Sequence, residues 1–180
     1  MNQSQDELPV SIREMRAEDL EQVQEIDNIS FSMPWPASAF RYELFDNPAS
    51  LLYVAQVEPP QEPVQLVGMI VFWMILDEAH IATLAVRPEY RGYGIARQLV
   101  AAGLRQAIHK GMTTATLEVR SSNLAAQGLY RHFRFKVVGR RHRYYRDNNE
   151  DALIMTVDGL GEDYLEWLES NRWLENNLKT

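Results

Sequence analysis

Cysteine is absent from this sequence of 180 residues. Its absence excludes a thiolate nucleophile, a disulfide framework and any zinc or iron–sulfur site built on cysteine, and it is typical of proteins in a reducing compartment. None of the four histidines pairs closely with another in the His-Glu-x-x-His spacing of metal-binding helices. We therefore expect no bound metal.

Long hydrophobic runs are also missing. The longest run, residues 66–76, has 11 residues and includes a glycine, whereas a membrane-spanning helix needs ~20 apolar residues. The amino terminus, MNQSQDELPV, has neither the basic start nor the apolar run of a secretory signal. The sequence therefore predicts a cytoplasmic protein that does not contact a membrane.

Basic residues are in the minority: the chain has 18 lysines and arginines and 25 acidic residues, which gives a net charge of −7. This balance argues against a nucleic-acid partner. Six arginines, one lysine and no acid lie in residues 131–146, whereas residues 158–180 carry six acids and two bases. The basic stretch is either a solvated strand face or a surface that binds an anion or a partner.

The length and the hydrophobic content of 46% predict one domain with a single core. We assign residues 1–157 to this domain, with a proline-rich surface loop at residues 58–63, and residues 158–180 to an acidic amphipathic helix packed on it or appended to it. Helical spacing of apolar residues predicts helices over residues 17–29, 36–45, 94–110, 123–133 and 163–178. Alternation and short apolar runs predict strands over residues 51–57, 64–76, 80–86, 114–120, 136–145 and 152–157.

The centre of the chain alternates strand, helix and strand. A helix over residues 94–110 joins the predicted strands 80–86 and 114–120, and such a crossover makes the two strands parallel. The sequence therefore predicts a mixed α/β (α+β) fold, in which one central sheet contains a parallel strand pair and carries helices on its faces.

The loop Arg91-Gly92-Tyr93-Gly94-Ile95-Ala96 lies between a predicted strand and the long helix. Two glycines at this junction allow a tight turn that directs backbone N–H groups at a ligand, and the helix dipole adds attraction for a pyrophosphate. A nucleotide P-loop is excluded because the chain has no Gly-Lys-Ser/Thr, and Arg97 occupies the third glycine position of a dinucleotide fingerprint. The alternatives are another pyrophosphate ligand or a turn that only starts the helix.

Residues 84–96, LAVRPEYRGYGIA, resemble the strand, loop and helix of the GNAT superfamily of acetyl-coenzyme A-dependent N-acetyltransferases. The pyrophosphate motif of that family, Arg/Gln-x-x-Gly-x-Gly/Ala, is matched by Arg91, Gly94 and Ala96. The resemblance implies a GNAT-type central sheet and acetyl-coenzyme A as co-substrate. It further implies two sets of backbone contacts, one to the pantetheine arm and acetyl carbonyl from Leu84, Ala85 and Val86, and one to the pyrophosphate from Gly92, Tyr93, Gly94, Ile95, Ala96 and Arg97.

Residues 117–123, LEVRSSN, followed by Leu129-Tyr130, are similar to one branch of that superfamily, the bacterial ribosomal-protein alanine N-acetyltransferases. This resemblance covers about residues 10–157. It implies that Glu118 is the general base toward the amine, that Tyr130 is the general acid toward the leaving thiolate, and that Asn123 contacts coenzyme A. The implied acceptor is the N-terminal alanine of a small-subunit ribosomal protein.

The residues themselves are compatible with these roles. Acyl transfer to an amine requires removal of a proton from the ammonium, and the departing thiolate gains from receiving one. Glu118 lies on the polar face of an alternating strand, where it is either a base in a cleft or a solvated carboxylate. Asn123 and Tyr130 are seven residues apart and so share one helix face, although a lone tyrosine is more often part of a core.

The acceptor side and the substrate stay open. The segment Phe31–Pro36, together with Tyr144 and Tyr145, either lines a peptide site or belongs to the core. Arg134 stands where the family commonly has glycine, and the proline loop and acidic helix look like additions, the helix either folding over the basic stretch or recruiting a basic partner. The alternative functions are acetylation of lysine side chains or small amines, or a coenzyme A-binding sensor without turnover, and the sequence leaves the oligomeric state open.

Overall fold

The computed structural model describes residues 10–57 and 64–171. The strands in this part are β1 (Val10–Glu14), β2 (Ser50–Val57), β3 (Gln65–Ile75), β4 (Glu78–Val86), β5 (Thr114–Arg120), β6 (Lys136–Tyr145) and β7 (Glu150–Asp158). The helices are α1 (Leu20–Ser30), α2 (Ala39–Phe45), α3 (Ile95–His109), α4 (Leu124–His132) and α5 (Glu162–Ser170). No helix within these residues is long and apolar enough to cross a membrane.

The strands form one sheet in the order β1-β2-β3-β4-β5-β7-β6. Every neighbouring pair is antiparallel except β4 and β5, which are parallel and are connected through α3. The predicted mixed α/β sheet with a parallel central pair is therefore confirmed.

Some element boundaries differ from the prediction. The sequence did not predict β1, a five-residue edge strand that pairs only with β2 and has a mixed burial pattern instead of strict alternation. The second helix begins at Ala39, because residues 36–38 form a turn in which the Ala39 amide donates to Pro36 O. The last helix ends at Ser170, and the predicted continuation over 172–178 lies outside the described residues, as does the proline loop 58–63.

The core has two parts, one on each face of the sheet. On one face, Leu99 and Leu104 of α3 and Tyr164 of α5 pack in the cluster that contains Ile70 and Phe72 of β3. On the other face, the buried residues come from α1, α2 and the opposite side of the same strands: Val23, Ile26, Phe40, Met69 and Val71. Helices on both faces therefore cover the sheet, and β3 alternates its side chains between the two clusters.

Gly103 sets how closely α3 approaches the sheet. A Cβ atom built on Gly103 would lie 1.9 Å from Cε2 of Phe72, which is far inside van der Waals contact. A glycine inside a helix costs about 1 kcal/mol relative to alanine. Here it allows the helix backbone to lie directly on the Phe72 ring.

The connection from β5 to α4 is fixed by the turn between β6 and β7. The Glu150 carboxylate accepts hydrogen bonds from the Ser122 amide at 2.7 Å and from the Ser121 hydroxyl at 3.3 Å. Arg120 pairs with Asp147 at 2.8 Å and lies 3.9 Å from the ring centroid of Tyr145. These contacts hold the end of β5, the start of α4 and the β6–β7 turn as one unit.

Helix α5 covers the turn between α4 and β6. Arg134 lies in this turn with a φ of +64°, in the left-handed region that favours glycine. Its guanidinium lies 4.0 Å from the ring centroid of Trp167, and the Tyr164 hydroxyl donates to Phe133 O at 2.7 Å. Within the described residues α5 thus meets the basic stretch through aromatic rings and a hydrogen bond, with no ion pair from its acidic side chains.

We expect a double-mutant cycle to detect the Arg134–Trp167 contact. Trp167→Ala should lower the free energy of unfolding by about 2 kcal/mol, because it removes a half-buried aromatic ring. Arg134→Gly should change it by less than about 1 kcal/mol, because relief of the positive φ offsets the lost contact. The double variant should lose about 0.5–1 kcal/mol less than the sum of the two single losses. Urea denaturation of the four proteins measures this difference, and strict additivity would show that the stacked pair contributes no stability.

The pH dependence of the free energy of unfolding should reveal the lowered pKa of Glu150. Hydrogen bonds from Ser122, with further ones from Asn148 and Arg120, lower the pKa of Glu150 from its ordinary 4.5 to about 2. A carboxyl with a lowered pKa in the folded state stabilises the protein above pH 4.5, and this contribution disappears as the pH falls from about 4.5 to about 2. In urea titrations, the stability difference between the natural protein and Glu150→Gln should therefore shrink between pH 6 and pH 3. A difference that stays constant over this range would contradict the assignment.

Candidate active site

The two parallel strands at the centre of the sheet separate halfway along their length. β4 pairs with β5 from Glu78–Thr114 to Ile81–Leu117 and no further. Ala82 is an extra residue on β4 relative to β3, since Val71 pairs with Thr83 and Phe72 with Ile81. Beyond this bulge, the edge of β4 that faces β5 has no strand partner, and a gap opens between the two strands.

Leu84, Ala85 and Val86 form the β4 side of this gap. They remain paired with β3, in the register Gly68–Val86 to Ile70–Leu84. Their position at an unpaired strand edge fits the predicted contact with an extended chain that carries amide groups, because such a chain can replace the missing strand.

Arg87 anchors the end of β4, and the sequence analysis missed it. Its side chain is buried, its Nε donates to Leu66 O at 2.8 Å, and its guanidinium pairs with Glu25 of α1 at 2.7 Å. The ion pair raises the pKa of Arg87 and lowers that of Glu25. The residue thereby ties β3, β4 and α1 together at the mouth of the gap.

The glycine-rich loop at the start of α3 presents free backbone donors. Gly92 and Gly94 have positive φ values of +88° and +75°, and Gly94 is the N-cap of the helix. Across the described residues, the amides of residues 92–97 have no acceptor within the protein. Consecutive free N–H groups at the amino end of a 15-residue helix form a site for a diphosphate.

Arg91 is exposed, but part of its side chain folds back from this loop. Its Nε donates to Val86 O at 3.1 Å, so that the side chain folds back on the end of β4. Arg91 therefore links the loop to the strand.

Glu118 is the first residue of β5 beyond the last pair with β4. Its side chain is 13% exposed. One carboxylate oxygen lies 2.9 Å from a guanidinium nitrogen of Arg141, and the other lies 3.3 Å from Nε2 of His80. The carboxylate is thus held at the floor of the gap, and the interpretation of Glu118 as an ordinary solvated side chain is wrong.

A row of stacked rings leads to Glu118. Phe40, Trp35, Trp73 and His80 stack in sequence, with centroid separations of 5.0, 6.1 and 5.6 Å. Helix α1 holds Trp35 by its backbone, because the Trp35 amide donates to Asp27 at 2.6 Å and its carbonyl accepts from Gln24 at 3.2 Å.

Burial raises the pKa of Asp27, whose other oxygen has no hydrogen-bond partner. Trp35 therefore belongs both to the packed core and to the surroundings of the site.

Tyr130 is buried on α4 and its ring packs against Phe135 with 5.7 Å between centroids. Its hydroxyl makes no hydrogen bond to any described residue. Burial, together with the nearby Tyr145, raises the pKa of Tyr130 well above its usual range, and burial raises the pKa of Tyr145 to about 12. Tyr130 carries its hydroxyl proton at neutral pH, as a tyrosine with the ordinary pKa also does.

Asn123 is exposed and is the N-cap of α4. Its Oδ1 accepts the Ala126 amide at 3.0 Å, which leaves its Nδ2 group with no partner among the residues described. The side chain can therefore cap the helix and donate to a ligand at the same time.

The remaining aromatic candidates lie at the end of β6. Tyr144 is exposed, Tyr145 is half-buried, and their rings meet edge to face at 5.2 Å. The Ser32 hydroxyl donates to Asp147, which joins the α1–α2 loop to the β6–β7 turn. The segment Phe31–Pro36 is therefore joined to the turn that follows Tyr144 and Tyr145.

The sequence analysis also missed His80, Arg141 and Trp73. His80 was counted only as a histidine without a metal-ligand partner, and Arg141 only as part of the basic stretch. The alternation in residues 78–82 places His80 on the same face as the polar residues, but contact with Glu118 depends on the parallel register His80–Thr116. That register is not readable from either strand alone.

A family profile and individual sequence relatives both assign the chain to the same family. The profile of the acetyltransferase (GNAT) family matches residues 20–135. A protein of Bacillus subtilis (strain 168), named as a candidate ribosomal protein bS18-alanine N-acetyltransferase, is 39% identical over 147 residues, which are 82% of this chain and 94% of that protein. The ribosomal protein bS18-alanine N-acetyltransferase of Escherichia coli (strain K12) is 38% identical over 86 residues, which are 47% of this chain and 58% of that protein.

Solved structures agree with these relatives. The crystal structure of the ribosomal-protein-S18-alanine N-acetyltransferase from Escherichia coli superposes with a TM-score of 0.72 and 28% identity, over 83% of this chain and 93% of the other. The crystal structure of the NatC complex bound to Gag peptide and CoA gives a TM-score of 0.74 and 25% identity, over 83% and 98%. The fold, the site and the sequence relatives together show that this chain belongs to the GNAT family of acetyltransferases.

Proposed function

We propose that this protein transfers an acetyl group from acetyl-coenzyme A to the N-terminal α-amine of a protein, and that its substrate is the N-terminal alanine of ribosomal protein bS18. The names of the Bacillus and Escherichia coli relatives support this substrate. A ribosomal-protein substrate assigns the reaction to the cytoplasm. The observation that carries the proposal is the position of Glu118, an enclosed carboxylate at the point where β4 and β5 separate.

Acetyl-coenzyme A fits the free backbone groups of the gap. The amides of residues 92–97 hold its pyrophosphate, and the unpaired edge at Leu84, Ala85 and Val86 pairs with its pantetheine arm. Asn123 adds a donor from its free Nδ2 group. This arrangement brings the thioester to the Glu118 end of the gap.

The reaction follows from three proton transfers. Glu118 accepts a proton from the substrate ammonium, and the neutral amine attacks the thioester carbon while a backbone N–H near Val86 polarises the carbonyl. The carbon–sulfur bond breaks, and Tyr130 donates its hydroxyl proton to the thiolate. The second proton that the amine nitrogen must lose to become an amide restores the Tyr130 hydroxyl, so that one proton, on Glu118, is left to return to water. No covalent enzyme intermediate is required, and the protein contributes position and charge.

The acceptor enters between the two linked loops. The α1–α2 loop, which carries Trp35, is joined to the β6–β7 turn by the Ser32–Asp147 hydrogen bond, and Arg141 of β6 pairs with Glu118. A sensor that only binds coenzyme A does not need a carboxylate held where β4 and β5 separate. The position of Glu118 therefore favours an enzyme.

We expect Glu118→Gln to lower kcat by about 10²–10³-fold with nearly unchanged binding of acetyl-coenzyme A, because the amide cannot accept the proton. Tyr130→Phe should lower kcat by at least about tenfold, because the thiolate then leaves without a donor. Release of coenzyme A thiol, followed with a thiol reagent, measures both rates, and calorimetry measures binding. The matched controls are Glu166→Gln on α5 and Tyr42→Phe on α2, both exposed and outside the site. A Glu118→Gln protein that retains full turnover would remove Glu118 from the mechanism.

The acceptor is tested with a mixture of short peptides that differ in the first residue and in the presence of an internal lysine. After incubation with acetyl-coenzyme A, mass spectrometry should find acetyl groups only on terminal amines, and most on peptides that begin with alanine. Acetylation of lysine alone would keep the family and overturn the proposed substrate.

A further inference from the structure

Strand β6 departs from regular pairing just before the β6–β7 turn. Arg141 and Tyr145 are four residues apart on β6, but they pair with residues of β7 that are only two apart, Ala152 and Glu150. Residues 142–144, which we call the β6 bulge, therefore face a single residue of β7. Since β6 is the last strand of the sheet, β7 is its only strand partner in the described part of the chain. The conformation of the bulge thus depends on β7.

The bulge gathers two tyrosines beside Arg141. Four residues of a regular strand span about 13 Å, whereas two residues span about 7 Å. Tyr145 is therefore several ångströms closer to Arg141 than it would be on a regular strand. Tyr144 lies in the bulge itself, and its ring centroid is 5.6 Å from the Arg141 guanidinium and 5.2 Å from the ring of Tyr145. Because Arg141 also pairs with Glu118 at 2.9 Å, the bulge determines which side chains lie next to that carboxylate.

The side chain of Asp151 closes the β6 bulge. One carboxylate oxygen accepts the backbone amide of Arg143 at 2.9 Å, and the other lies 3.2 Å from Nδ1 of His142 and 3.3 Å from a guanidinium nitrogen of Arg140. Arg143 has a φ of +51°, in the left-handed region that is unfavourable for a large side chain. The Asp151 carboxylate therefore supplies a hydrogen bond that the strand ladder does not provide, and it stabilises a backbone conformation that is costly on its own.

The backbone of Asp151 is fixed from the opposite side. Its carbonyl accepts the Ser121 amide at 3.0 Å, and the next residue, Ala152, pairs with Arg120 of β5. The carboxylate that closes the bulge is thus anchored to the strand that carries Glu118. A single residue of β7 therefore connects the position of the tyrosines to the position of the proposed base.

We propose that Asp151 is a positioning residue for the acceptor: its carboxylate holds the β6 bulge in the conformation that places Tyr144 and Tyr145 beside Arg141 and Glu118, where the tyrosines contact the first residues of the substrate. Tyr144 is 45% exposed and is accessible to such a substrate. A binding surface that is fixed in advance loses less conformational entropy when the ligand binds. Loss of the carboxylate therefore weakens acceptor binding. This inference rests on the proposed peptide acceptor.

The experiment measures the KM of both substrates for Asp151→Ala, Asp151→Asn and the control Asp158→Ala, which removes an exposed carboxylate from the far end of β7. Asp151→Ala should raise the KM of an alanine-terminal peptide about 5- to 20-fold, with less than about twofold change in the KM of acetyl-coenzyme A. Asp151→Asn keeps an oxygen for the Arg143 amide, and it should raise the peptide KM less than about threefold. Asp158→Ala should match the natural protein.

Three results would overturn the proposal. The first is a peptide KM of Asp151→Ala within about twofold of the natural value, and the second is an equal rise in the KM of both substrates, which a general structural loss would cause. The third is an equal effect of Asp151→Asn and Asp151→Ala. If Asp151→Ala does not fold, as judged by circular dichroism, Asp151→Glu decides, because it retains the charge but displaces the carboxylate by one methylene group. It should then raise the peptide KM alone, and an unchanged peptide KM would overturn the proposal.

Failure of the proposed function gives a different result. A natural protein that acetylates a lysine or a polyamine but no peptide terminus contradicts the proposed function. The KM of that acceptor, measured with the same variants, then decides the role of Asp151.

Discussion

The early end of the pairing between β4 and β5 is the constraint on which the site depends. A sheet edge buried without partners is costly, because each unsatisfied backbone group costs about 1–3 kcal/mol. This cost is tolerated because each strand is held from its other side. β4 stays paired with β3 as far as Val86, and β5 stays paired with β7 along its whole length. The gap is therefore rigid, and a ligand with backbone-like amides fills it without a rearrangement of the sheet.

The sequence was sufficient for the elements whose signals are local. The glycines of the loop at residues 91–96, the crossover between β4 and β5, and the alternation in β5 all follow from residue types and spacing, and the structure contains each of them. The site assignments to Glu118, Tyr130 and Asn123 came from resemblance to a family, and their catalytic roles are still predictions.

What the sequence did not show depends on contacts between distant segments. His80 meets Glu118 only because β4 and β5 are parallel in one particular register, and Arg141 arrives from β6, two strands away in the sheet. The short strand β1 was not predicted, because its residues show no clear apolar pattern. It is a strand only because its backbone pairs with β2. Tertiary register is thus the part of the site that local patterns do not encode.

Arg134 shows how an arginine is accommodated in the left-handed region of the backbone. An arginine in the left-handed region is strained by about 1–2 kcal/mol, yet the turn keeps the conformation that glycine adopts easily. Trp167 of α5 lies over the guanidinium, and Tyr164 binds the carbonyl of the preceding residue. Helix α5 and Arg134 thus support each other, next to the helix that carries Tyr130.

Gly103 has a consequence for the distant end of its helix. Because its Cα lies against the Phe72 ring, a shift of α3 along its axis by one residue would drive a side chain into that ring. Gly103 is eight residues from Ile95, about 12 Å along the axis. Its contact with Phe72 therefore fixes the position of the whole helix along its axis. This remote contact fixes the position of the free amides at the start of α3, so the loop at residues 91–96 needs few contacts of its own.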